Sequence, residues 1–151
     1  MTADSADKVH VVCAHCNSTN RLPRERLGQG PKCGKCSEPL FEGRPFALTT
    51  AAFDRQLEMS ELPIVVDFWA SWCAPCRMMA PEFEKAAASL EPAVRFAKVD
   101  TEAEQALAAR YQIRGIPTMI VFKDGREVAR QSGAMPAAQI EHFVRGSIGP
   151  D

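Results

Sequence analysis

Six cysteines stand in three Cys-x-x-Cys pairs, Cys13/Cys16, Cys33/Cys36 and Cys73/Cys76. Two thiols at this spacing can do one of two things. On the turn that opens a helix they exchange with disulfides, because unpaired N–H groups and the positive end of the helix dipole stabilise the first thiolate. On two short loops that face each other, four of them complete a tetrahedral metal site. The third pair sits in Trp72-Cys-Ala-Pro-Cys76, directly after the apolar, β-branched run Ile64-Val-Val-Asp-Phe-Trp69. That layout of strand, cysteine turn and helix predicts the redox chemistry. Pro75 in the first turn loses no helix hydrogen bond, and Cys76, one turn on, can reach Cys73 to close a disulfide. No cysteine is left over to partner this pair as a third metal knuckle.

The first two pairs form Cys13-x2-Cys16-x16-Cys33-x2-Cys36, the spacing of a four-cysteine zinc site. Residues 1–45 hold few large apolar side chains and many turn formers, among them Asn17-Ser-Thr-Asn20 and Gly28-Gln-Gly-Pro31. Such a segment needs a staple to fold. Gly34 is expected to supply a positive φ beside the metal. Two disulfides are one alternative use of these cysteines. Iron, which also accepts four thiolates, is another. Zinc is preferred because Phe41 and Phe46, the aromatic residues nearest the knuckles, lie at the far end of the segment. His15 reads as a solvent-facing knuckle residue rather than a further ligand.

Asp67, in the middle of an apolar strand, is disfavoured there as a charge unless paired or wetted. Desolvation raises the pKa of such a carboxyl and suits it to proton traffic near neutral pH. The alternative is an edge-strand aspartate turned to solvent. Lys98, in Phe96-Ala-Lys-Val99, could share this environment or be a snorkelling surface lysine. Pro117 stands before a strand, where it marks a strand start or a turn, and composition leaves its peptide bond open between trans and cis.

These residues need a frame. Thr49 or Thr50 can cap a helix to about Met59; a buried strand spans Ile64–Ala70, and a long helix runs from about Cys73 to Leu90 with Pro81 inside it. Val94–Val99 is the next strand, and Thr101-x-x-Glu104 reads as a capping box opening a helix to Tyr111. Thr118–Phe122 and Glu127–Gln131 make a hairpin around Asp124-Gly125, and a last helix spans about Pro136 to Arg145 with Ile140, Phe143 and Val144 on its apolar face. The expected architecture is α/β, a mixed sheet flanked by helices at residues 46–151, preceded by a small metal-ribbon domain and linker at residues 1–45.

The composition excludes several function classes. A net charge of −1 gives no reason to expect nucleic-acid binding. Arg21, Arg24, Arg26, Lys32 and Lys35 of the ribbon are expected to be a solvated face. No apolar run approaches the ~18 residues of a membrane span. The acidic start, Met1-Thr-Ala-Asp-Ser-Ala-Asp-Lys8, is not the pattern of a secretory signal. A cytoplasmic location follows as the expectation.

Taken together, Val66-Asp-Phe-Trp-Ala70, Trp72-Cys-Ala-Pro-Cys76, Met78-x-Ala-Pro81, Lys98-Val-Asp100, Arg114-Gly-Ile-Pro-Thr118 and Lys123-x-Gly125 resemble the thioredoxin family. With the four-cysteine segment ahead, the chain is similar to the thioredoxin-2 type that carries an N-terminal zinc ribbon. The resemblance implies a protein-disulfide reductase in which Cys73 attacks the substrate disulfide and Cys76 resolves the mixed disulfide. It implies Asp67 as the buried proton acceptor with Lys98 near it, and Pro117 as a cis-proline facing the thiols. Trp72, Gly115, Ile116, Gly133 and Ala134 would form the apolar docking surface. One Zn2+ on Cys13, Cys16, Cys33 and Cys36, a redox-active Cys73–Cys76 disulfide, a thioredoxin reductase as electron donor, disulfide-bearing protein substrates and a monomer complete the expectation. Ala74 replaces the commonest Gly, and residues between the cysteines tune the potential. The alternative function is a zinc-linked redox sensor or chaperone, in which thiolate oxidation ejects the metal and unfolds the ribbon.

Overall fold

Alternation of Val9 and Val11 with Lys8 and His10 produces strand β1 (Lys8–Val12), whose valines are buried. It pairs antiparallel with β2 (Thr19–Pro23), Val9 facing Leu22 and Val12 facing Thr19, and a short 3-10 turn at Arg24–Arg26 follows. The computed structural model describes residues 7–149. The acidic lead-in, residues 1–6, and residues 150–151 lie outside them.

From Phe46 the chain alternates strand and helix: β3 (Phe46–Ala47), α1 (Thr50–Met59), β4 (Ile64–Trp69), α2 (Ala74–Leu90), β5 (Arg95–Asp100), α3 (Gln105–Arg110), β6 (Thr118–Lys123), β7 (Arg126–Ser132) and α4 (Ala137–Ile148). The five strands form one sheet in the order β3-β5-β4-β6-β7. β3, β5 and β4 are parallel, and β6 and β7 are antiparallel. β4 is therefore central, and its near-continuous apolar run is buried on both faces. One face packs Val65, Phe96, Met119 and Val121 against Met79 and Phe83 of α2 and Ile140 and Val144 of α4. The other packs Val66, Phe68, Ala97, Val99 and Ile120 against Phe53 and Leu57 of α1 and Leu107 of α3. Among the described residues no helix is long and apolar enough to cross a membrane.

Local chemistry sets most boundaries. Thr49 caps α1, its side chain accepting from Ala52 N, and α2 passes through Pro81 without ending. Asp124 and Gly125 both have positive φ (55° and 77°), the two-residue turn that joins strands twisting as β6 and β7 do.

Three expectations need correction. Thr101 and Glu104 do not form a capping box: Thr101 Oγ1 donates to Trp69 O at 3.0 Å, and Glu104 accepts from Thr50 N and Oγ1 at 2.8 and 2.9 Å. The box pattern is present, but Glu104 is spent on the N-terminus of α1, where an anion opposes the helix dipole. Gly34 lacks a positive φ; Asn17 (φ 63°) and Ser37 (φ 68°) take that conformation instead, each four residues after the first cysteine of its knuckle. Phe41 is not remote from the knuckles, since it packs against the cluster of Val9, Val11, Leu22, Leu27, Leu40 and Leu62 that also holds Cys13 and Cys33. Leu62 comes from the loop before β4, so the ribbon shares its apolar core with the catalytic region.

Candidate redox and metal sites

The end of β4 delivers Ala70 to a tight turn, and Cys73 is the N-cap of α2, with extended φ and ψ of −88° and 112°. Its Sγ accepts from Cys76 N at 3.2 Å and is joined to Cys76 Sγ in a disulfide. The cap thus puts sulfur where the helix leaves its N–H groups unpaired. Both cysteines are nearly buried, and Cys73 Sγ lies 3.7 Å from the carbonyl oxygen of Ile116. The Ile116–Pro117 bond is cis, and Pro117 is buried at the head of β6. Pro117 O accepts from Gly133 N at 2.9 Å, where a φ of +98° turns the chain out of β7.

That chain of contacts brings Ile116, Pro117, Gly133 and the neighbouring Ala134 to the disulfide. Gly115, Gly133 and Ala134 are exposed and Ile116 is half-exposed. Trp72 is not core: 65% of it is exposed, and its indole Nε1 donates to Glu102 Oε2 at 3.2 Å. Sequence reading missed two neighbours. Met78, two residues after Cys76 in α2, is 72% exposed, an apolar side chain on the outer side of the redox helix. Glu102 orients Trp72 from the loop after β5, and its own N–H is fixed by Asp100 Oδ1 at 2.9 Å. No local pattern announces a partner thirty residues away.

Asp67 has no exposed surface, and neither carboxylate oxygen has a hydrogen-bond partner. It lies in the central strand on the face covered by α2, the helix of Cys76, and not at an edge. Burial pushes its pKa up to about 7, while the Lys98 cation pulls the other way. Asp67 and Lys98 are paired in register across β4 and β5. Lys98 is half-buried, with Nζ 4.7 Å from the centroid of the Trp69 ring.

The two knuckles repeat one another. Asn17 N donates to Cys13 O and Ser37 N to Cys33 O, both at 2.9 Å; Cys13 N donates to Ser18 O and Cys33 N to Glu38 O. His15 N and Lys35 N each donate to the first sulfur of their loop, at 3.3 and 3.4 Å. The result is four sulfurs within 4.8 Å of one another, with Cys13 Sγ to Cys36 Sγ and Cys16 Sγ to Cys33 Sγ both 3.6 Å. A tetrahedral ion with metal–sulfur bonds of ~2.3 Å spaces its ligands by about 3.8 Å. A disulfide needs ~2.05 Å. The donors fit a metal and do not fit two disulfides. His15 is outside the cluster, its Nε2 3.3 Å from Glu42 Oε2.

A disulfide at a helix N-cap, with a buried carboxylate on the sheet face that this helix covers, marks the class of thiol–disulfide oxidoreductases, and the comparisons agree. Residues 44–146 match the family described as Thioredoxin, and residues 12–38 match the zinc-ribbon family described as Thioredoxin 2, N-terminal. Thioredoxin C-3 of Corynebacterium nephridii is 41% identical over 134 residues, which is 89% of this chain and 92% of that protein. Thioredoxin 1 of Synechococcus elongatus is 43% identical over 98 residues, 65% of this chain and 92% of its own. A solved mutant thioredoxin of Halobacterium salinarum NRC-1 superimposes with a TM-score of 0.65 at 27% identity, over 74% of this chain and 96% of its own. The chain belongs to the thioredoxin family, with the N-terminal ribbon of the thioredoxin-2 type, and is a thiol–disulfide oxidoreductase.

Proposed function

We propose that the protein reduces disulfides of other proteins through Cys73 and Cys76 and carries one structural Zn2+ on Cys13, Cys16, Cys33 and Cys36. The observation that carries the first part is the Cys73 sulfur, which accepts from Cys76 N at the mouth of α2 and faces Ile116 O. In the reduced protein the Cys73 thiolate attacks one sulfur of a substrate disulfide and the other sulfur leaves as a thiolate. Cys76, its proton passed to Asp67, then attacks the Cys73 sulfur, closing Cys73–Cys76 and releasing the second substrate thiolate. Two electrons have moved to the substrate. A thioredoxin reductase returns them.

Asp67 suits the proton step because its pKa of about 7 lets it exchange a proton at neutral pH. Lys98 acts beside it as a positioning charge. Pro117 aligns the substrate backbone, and Trp72, Gly115, Ile116, Gly133 and Ala134 dock the substrate's apolar surroundings. The metal would hold residues 1–45 together as a unit ahead of residues 46–151. We assign the protein to the cytoplasm, where thiols stay reduced, acting as a monomer without nucleic-acid or membrane partners. A second reading, a zinc-linked redox sensor, rests on the partial exposure of Cys16 and Cys36.

Insulin reduction with NADPH and a thioredoxin reductase, beside the Cys73→Ser variant, tests the main reading. Turnover confined to the unmodified protein is expected, and equal turnover in both would end it. Peroxide treatment with zinc detection tests the second: zinc retained after Cys73–Cys76 has closed removes it.

A further inference from the structure

Arg95, in β5, is one of the largest fully buried side chains of the described residues, only 2% exposed. No salt bridge engages it among the described residues, although Glu91 is close enough to act on its charge. The Glu91 carboxylate itself accepts from Gly43 N at 3.0 Å and Phe96 N at 3.4 Å. Arg95 Nη1 instead donates to Val12 O at 2.7 Å and to Gln56 Oε1 at 2.9 Å. Gln56, 1% exposed in α1, completes the grip: its Nε2 donates to Cys13 O at 3.0 Å and Asn17 Oδ1 at 3.1 Å. The two side chains thus hold the first knuckle at both ends, the carbonyls at its entry and the positive-φ residue at its exit. The rings of Phe46 and Phe41, 4.7 and 5.8 Å away, complete the surroundings of the guanidinium.

A buried cation is strongly disfavoured without countercharges nearby. Two act on Arg95: Glu91, whose carboxylate is occupied by Gly43 N and Phe96 N, and Cys13. Four thiolates around a divalent ion leave a net charge of about −2, and the first of those thiolates belongs to the residue after Val12. We infer that Arg95, seated by Gln56, is the buried countercharge and outer support of the four-cysteine site. The catalytic region's sheet and first helix therefore help hold the ribbon's metal, and the metal in turn stabilises β5. This rests on reading Cys13, Cys16, Cys33 and Cys36 as a metal site.

The test uses the full-length protein. Metal content of the unmodified chain is measured first; reduced cysteines without metal would overturn the metal reading and this inference together. Metal release to an excess of chelator is then timed for the unmodified chain, Arg95→Met, Arg95→Lys and Gln56→Met. Partners beyond the ligands typically change metal affinity by 10- to 100-fold, so Arg95→Met is expected to release metal at least about tenfold faster, with Lys restoring part of the difference. Gln56→Met, which keeps the cation, should fall between and carries the test if Arg95→Met does not fold. Unfolding midpoints with and without metal separate this role from simple packing. Loss of stability confined to the metal-loaded form supports it. Equal losses in both forms, or unaltered release from loaded Arg95→Met or, where that variant does not fold, from loaded Gln56→Met, would overturn it while leaving the metal site intact.

Discussion

The ribbon knuckles and the redox turn begin alike. In each, the fourth residue after the first cysteine donates its N–H to that cysteine's carbonyl: Asn17 to Cys13, Ser37 to Cys33 and Arg77 to Cys73, at 2.9, 2.9 and 3.1 Å. They part at that same residue. Asn17 and Ser37 turn left-handed and send the chain back, so the two pairs can face each other. Arg77 stays helical, and Cys76 remains beside Cys73. The third position differs as well. His15 and Lys35 donate an N–H to the first sulfur, whereas Pro75 has none, leaving Cys73 Sγ to the N–H of Cys76. One spacing yields either a metal ligand pair or a reactive disulfide, according to a single backbone conformation and a single missing donor.

The sharpest break in this comparison comes from serine at each first cysteine. Cys73→Ser should abolish insulin reduction, because no nucleophile remains, while Cys33→Ser should keep the exchange chemistry and lose the metal. Hydrogen exchange on Cys33→Ser should show lost protection over residues 8–40. The loss should reach into β5 through Arg95 and Val12, whose contact is 2.7 Å. A loss of protection confined to the ribbon would mean that the two regions are energetically separate.

Asp67 distinguishes the redox side further. Its carboxyl keeps its proton in the folded protein up to about pH 7, whereas the unfolded chain loses it near 3.8. Folded stability therefore falls as pH rises from about 4 to 7 and stays low above that. Asp67→Asn should be more stable than the unmodified protein by up to about 4 kcal/mol above pH 7, at ~1.36 kcal/mol per pKa unit. That gain should vanish below pH 4 in denaturant titrations. The variant should also resolve mixed disulfides more slowly near pH 7; unchanged rates between pH 6 and 8 would remove Asp67 from the proton step. The smallest effect is expected from Pro75→Ala, which returns an N–H to the position held by His15 and Lys35 in the knuckles. Further stabilisation of the Cys73 thiolate should raise the reduction potential by about 30 mV, the equivalent of about one charge-assisted hydrogen bond. Equilibration with glutathione measures it.

Much of this was legible in the chain. The β-branched run Ile64–Trp69 and the Asp-Gly turn at 124–125 declare themselves, since period and turn chemistry are local. The cysteine spacing announced both sites. What escaped depends on distant partners. Thr101 and Glu104 carry a capping pattern, yet their side chains serve Trp69 and Thr50. The ribbon looked poor in core because Val9, Val11, Leu22 and Leu27 are scattered and close only over Leu62. Arg95 carries no signal in the sequence beyond its place in the strand Val94–Val99, although its side chain joins the two regions through Val12.

The sheet's two borders have a consequence of their own. β3 is only two residues long, and β7 is lined with Arg126, Glu127 and Arg130, the last two bridged to each other. Short and charged edges offer little backbone for another chain to zip onto. If the proposed reduction of protein disulfides holds, its substrates are loosened, adhesive polypeptides, and edges built this way give them little backbone on which to aggregate.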